Sequence, residues 1–99
     1  MITVANRIPV NPAYAEAVEA RFAQRASLVD QMDGFVSFTL LRPTKPEDPY
    51  VVITMWESKA HFEAWVKSPE FRAQHDNKTL PPEAFAGANK IEIHEVVGS

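Results

Sequence analysis

The chain has 99 residues, 45% of them hydrophobic, with a formal charge of −3 and no cysteine. That length suits one domain over residues 1–99, with a small core that association with a second copy would enlarge. The acidic balance argues against nucleic acid as a partner, and the lack of cysteine removes disulfides and thiolate metal sites; no apolar run approaches the roughly 20 residues of a membrane span, so a soluble cytoplasmic protein is expected.

Residues Ile2 to Val10 alternate as a strand does. Ile2, Val4, Ile8 and Val10 share one face; Thr3, Ala5, Arg7 and Pro9 share the other. Asn6 falls in phase with the apolar set. A polar side chain there either satisfies a neighbouring backbone group in the core or points into a ligand pocket. Asn11-Pro12 is the start signal of a helix predicted to run to about Leu28. Tyr14, Val18 and Phe22 form its inward stripe. Arg21 and Arg25 stand one turn apart, and no carboxylate lies three or four residues along the helix from either. Two readings are open: solvated arginines lying over apolar neighbours, or an anion site beside Phe22.

Asp33-Gly34 marks a turn. Phe35 to Arg42 reads as a second strand, with Val36, Phe38 and Leu40 on one face and Phe35 and Leu41 on the other. Pro43 to Pro49 is a hairpin loop. Tyr50 to Trp56, nearly all apolar, reads as a third strand covered on both faces. Ser58 caps a helix that carries Phe62, Trp65 and Val66 on one side. Ser68-Pro69 stops it and starts another, an N-cap followed by proline at the first helical position. In a straight helix Trp65 and His75 would be about 15 Å apart on different faces. The break allows them to converge. Asp76 to Asn89 is a long connection with Pro81, Pro82 and Gly87, and Ile91 to Val97 is a fourth strand.

The order β-α-β-β-α-β predicts a ferredoxin-like α+β fold: a four-stranded antiparallel sheet with the helices on one face. The other face keeps apolar residues, which predicts a homodimer closed through it as a dimeric α+β barrel. There is no glycine-rich phosphate loop, and His61, His75 and His94 are too scattered for a multi-histidine metal site. His75 stands apart. It follows Phe71 by one helical turn and directly precedes the long connection. A lone histidine there is either structural or the single axial ligand that a haem iron requires.

On these residues the chain resembles the small dimeric ferredoxin-like enzymes of the antibiotic-biosynthesis-monooxygenase superfamily, and within it the IsdG-type haem-degrading monooxygenases. The residues that carry the likeness are Ala5-Asn6-Arg7, Arg21-Phe22-Ala23-Gln24-Arg25, Gly34-Phe35, Trp56-Glu57-Ser58, and Phe62-x-x-Trp65 followed by His75. The set Asn6, Trp65 and His75, each in its proper element, is the specific part. The resemblance implies that His75 is the proximal ligand to haem iron and that Asn6 donates a hydrogen bond on the distal side. It implies that Trp65 presses on the porphyrin, that Phe22 lines the pocket, and that Arg25 and Arg21 face the propionates. Haem is then both cofactor and substrate, with O2 and an electron donor, either a reductase or a small reductant, as co-substrates.

Two other functions suit the same fold. One is a cofactor-independent monooxygenase of aromatic or quinol substrates, in which His75 moves a proton. The other is a non-catalytic haem-binding dimer. The Asp76–Asn89 connection carries Leu80 and Phe85, more apolar surface than a solvated loop requires. It is expected to be a lid, mobile without haem and packed over the porphyrin edge with it; a loop ordered in both states is the alternative.

Overall fold

Alternating β-branched residues form β1 (Ile2–Ile8), one of the two strands that are paired on both edges. In the chain's computed structural model, β1 is followed by α1 (Ala15–Val29), β2 (Phe35–Leu41), β3 (Tyr50–Trp56), α2 (Lys59–Val66), α3 (Pro69–Asp76) and β4 (Lys90–Glu95). The sheet order is β2-β3-β1-β4, and every pairing is antiparallel. This is the ferredoxin-like arrangement that the element order predicts. The structure describes residues 1–76 and 80–98, and the side chains of 25–27 and 73–76 lie outside the description.

The helices cover the face of the sheet that carries Ile2, Val4 and Ile8. The core beneath them divides in two. Ile8, Val10, Val18, Phe22, Tyr50 and Val52 form one buried cluster, with Leu80 packed against it. Ile2, Val4, Val29, Trp56 and Trp65 form the other, with Phe35, Phe62 and Phe71 against it. Phe38 packs on both. Along β1 the division falls between Val4 and Ile8, at Asn6. Trp56 is fully buried at the centre of the second cluster. Its ring meets Phe35 edge-on at 5.6 Å and stacks on Trp65 at 6.5 Å, while Nε1 donates to Thr54 Oγ1 at 3.0 Å.

Local chemistry explains the joints between elements. Asn11 Oδ1 accepts from Ala13 N at 3.1 Å, but what it caps is a 3-10 turn, Pro12–Tyr14, which precedes α1. Ser58 Oγ accepts from His61 N at 3.2 Å and starts α2. Ser68 is the pivot of the helix break. Its buried hydroxyl donates to Trp65 O at 2.6 Å and accepts from Phe71 N at 3.1 Å, closing one helix and opening the next.

One expectation needs correction. Phe35 does not share a face with Leu41. Phe35 pairs with Trp56 and Ser37 with Met55, so Val36 is an extra residue in a β-bulge. The bulge turns Phe35 inward onto Trp56 and leaves Val36 43% exposed. The connection after α3 returns to the core. From Leu80 on it packs against the first cluster, makes a 3-10 turn at Pro82–Ala84, and bridges Phe85 to Val10. Asn11 N donates to Ala84 O at 2.8 Å, and Ala86 N to Pro9 O at 3.1 Å.

A polar clasp holds α1 to the hairpin end of the sheet. Glu19 accepts from Arg42 Nε at 2.8 Å, from Arg42 Nη2 and from the Tyr50 hydroxyl. The Arg42 hydrogen bonds, then that of Tyr50, hold the Glu19 carboxyl down at about 2. Burial, then the bond to Glu19, pushes the Tyr50 hydroxyl up from its ordinary value. A carboxylate depressed in the folded state stabilises the fold above its unfolded pKa of 4.5 and loses that contribution as the pH falls toward 2. Melting temperature is therefore expected to fall steeply across this window in the wild type and less in Glu19→Gln. Parallel melts from pH 2 to 6 with equal slopes would remove the clasp from the acid response.

Candidate active site

Asn6 is half-buried on the helix side of the sheet, between the two core clusters. Its cross-strand neighbours are Val52 on β3 and Ile91 on β4. Ile93 lies opposite Val4 on the same face. Yet Ile91 is 54% and Ile93 42% exposed. The reason is the placement of the helices: α1 packs on β2 and α3, and α2 on β3. The β4 edge remains open beside Asn6. The result is an apolar shelf with one amide at its inner margin, the composition of a pocket for a flat apolar ligand.

Phe22 on α1 belongs to the first cluster and is buried. Arg21 precedes it and is half-buried. Trp65 is 6% exposed, stacked on Trp56 and met edge-on by Phe71 at 5.5 Å. It sits deeper than a pocket wall, as a member of the second cluster. Phe22 and Trp65 thus stand in the two clusters that Asn6 separates. The backbone of Arg25 falls in α1 between Phe22 and Val29, and that of His75 in the last turn of α3, which packs on α1. The side chains of both lie outside the described residues.

A cleft of about 370 Å3 lies elsewhere, lined by Arg7, Leu41, Arg42, Pro43, Asp48, Pro49 and Val51. It opens at the hairpin end, where Leu41, Val51 and Arg7 point away from the helices. Its arginines already bond Glu92 and Glu19. It is separate from Asn6 and does not account for the residues singled out above. Among the described residues no helix is long and apolar enough to cross a membrane.

Sequence reasoning missed three residues beside Asn6. Ile91 and Ile93 were visible as alternating positions, but their exposure follows from where the helices stop. Asn89 had no local signal. Its Nδ2 donates to Asn6 Oδ1 at 3.0 Å across a separation of 83 residues.

Residues 1–77 match the family described as antibiotic biosynthesis monooxygenase. A mycobilin-producing haem oxygenase of Mycobacterium tuberculosis is 38% identical over 92 residues, covering 93% of this chain and 86% of that protein. The solved structure of the haem degrader MhuD, from the same organism with two haems bound in its active site, superposes with a TM-score of 0.84 at 35% identity, covering 100% of this chain and 98% of that one. SnoaB, a cofactor-independent oxygenase of Streptomyces nogalater, has a TM-score of 0.77 at 26% identity, covering 99% and 94%. The family match over more than half of the chain, with relatives above 30% identity over nearly all of it, shows the kinship: this chain belongs to the antibiotic biosynthesis monooxygenase family.

Proposed function

We propose that the chain is a haem-degrading monooxygenase that binds haem and oxidatively opens the porphyrin with O2 and an external reductant, releasing iron. The observation that carries the reading is the interruption of the core at Asn6 beside the open Ile91–Ile93 shelf. A polar group at a break between two apolar clusters suits a large flat ligand with one reactive centre. The relatives named for haem degradation agree with it.

The roles proposed are those that the family resemblance implies. His75, on α3, holds the iron through its imidazole. Asn6, on β1, offers its NH2 to the opposite side of the ligand. Arg21 and Arg25, on α1, bind the propionates through their guanidinium groups. Phe22 and Trp65 back the ligand site from the two core clusters, and for Trp65 to touch a porphyrin, Phe71 must yield part of its contact. Bound haem supplies both the redox iron and the carbon skeleton to be oxidised. The protein supplies ligation, orientation and the shape of the cavity.

The proposal takes residues 1–99 as one domain in the cytoplasm and includes a homodimer. The sheet face away from the helices carries Ala5, Val51, Ile53, Met55 and Leu41 without intramolecular cover, and a second copy would bury them. Hemin titration followed by ascorbate in air tests the activity, and sedimentation of the same sample tests the dimer. A Soret shift, then Soret decay with iron release, is the expected result. No shift would favour the cofactor-independent reaction. A shift without decay would favour a haem-holding dimer, and a single species of 11.1 kDa would contradict the paired sheets.

A further inference from the structure

An asparagine amide presents a donor at one end and an acceptor at the other, and only one orientation of Asn6 offers a donor to the ligand. Its acceptor is already engaged, since Oδ1 accepts from Asn89 Nδ2 at 3.0 Å. With Asn89 held as it stands, turning the Asn6 amide over would set two NH2 groups against each other. We propose that Asn89 is a positioning residue that holds the Asn6 amide with its NH2 toward the ligand site. The inference rests on the function proposed above and adds a second residue to the distal side.

The fold explains why Asn89 can do this. Arg7 pairs with Lys90, the first residue of β4, so Asn89 comes next in register, level with Ile8. Diagonal neighbours on one face of an antiparallel pair are within reach of a side-chain amide. The backbones on both sides are tied together beyond the strands. Asn11 Nδ2 donates to Glu83 O at 3.2 Å, Asn11 N to Ala84 O at 2.8 Å, and Ala86 N to Pro9 O at 3.1 Å. These bonds pin the segment before β4 to the continuation of β1. The spacing between Asn89 and Asn6 is therefore set by the sheet and its extension. While Asn89 keeps its own orientation, a single neutral hydrogen bond biases the Asn6 amide by roughly two- to tenfold.

Asn89→Asp tests the proposal, because it removes the donor and supplies acceptors that draw the Asn6 NH2 away from the site. In the haem-free protein, the Asn6 side-chain amide resonances are expected to move in Asn89→Asp and Asn89→Ala. In the hemin-loaded protein, cyanide serves as the probe of the distal side. Asn89→Asp is expected to weaken cyanide binding about five- to tenfold, close to the effect of Asn6→Ala, and Asn89→Ala about two- to threefold. Hemin affinity and melting temperature should stay at wild-type values. In an Asn6→Ala background, Asn89→Asp should change cyanide affinity less than about twofold, since its effect runs through Asn6. Wild-type cyanide affinity in Asn89→Asp would overturn the proposal. So would an undiminished Asn89→Asp effect in the Asn6→Ala background, which a bare charge effect would give. Unmoved Asn6 resonances in the haem-free variants overturn the positioning role alone, whereas a wild-type protein with no hemin Soret shift overturns the haem reading itself.

Discussion

Replacing His75 with alanine is expected to abolish tight haem binding and leave the fold in place. His75 stands in the last turn of α3, which ends at Asp76. Alanine is the better helix former, so the change does not shorten that helix. The proposed iron–imidazole bond has no substitute among alanine's groups. On the order of a hundredfold loss of hemin affinity, about 2.7 kcal/mol, is the least that loss of a metal ligand should cost. Hemin titration reads the loss as a missing Soret shift. Melting of the haem-free variant, which reads the fold separately, is expected to stay close to the wild type. A variant that binds hemin with the wild-type spectrum would remove His75 from the ligand role.

The second large effect is structural. Gly34 turns the chain from α1 into β2 with φ at +79°, the left-handed region that glycine enters without strain. A Cβ built there would lie 2.2 Å from His61 Cγ. His61 is not free to yield cheaply. Its Nδ1 is 2.7 Å from Ser58 Oγ, the hydroxyl that caps α2, and Gly34 O accepts from Glu57 N at 2.8 Å just before that cap. Gly34→Ala therefore carries a backbone cost of about 1–2 kcal/mol and a steric cost of about 1–3 kcal/mol. At about 4–8 °C per kcal/mol for a domain of this size, a drop of at least about 8 °C in melting temperature is expected. Adding His61→Ala should return only part of the steric cost, since the His61 Cβ, 2.6 Å from the added one, remains, and should leave the backbone part. A single Gly34→Ala variant that melts with the wild type would show that the turn and the His61 ring adapt without cost.

How much of this was legible beforehand depends on the range of the interaction. Asn6 was visible because strand alternation is local: Ile2, Val4 and Ile8 set the phase, and a polar residue in that phase is out of place in any fold. The break at Ser68 was visible because a hydroxyl cap acts on amides three residues away. Family resemblance placed Trp65 and His75 in their elements, but the depth of Trp65 came from Trp56 and Phe71, which reach it through the sheet and across the helix break. The faces of β2 were misjudged at Phe35 because a bulge belongs to a pair of strands. Val36 is extra only when Phe35 and Ser37 are matched to Trp56 and Met55.

The chain by itself determined the element types, the strand phase at Asn6 and the caps that break the second helical stretch, since each rests on neighbours within a few residues. Tertiary structure alone decided that the core parts at Asn6, that Ile91 and Ile93 stay uncovered, that Glu19 meets Arg42 and Tyr50, and that Asn89 bonds Asn6. Each of these joins residues far apart in the chain, and their meeting depends on strand order and register, which no local pattern encodes.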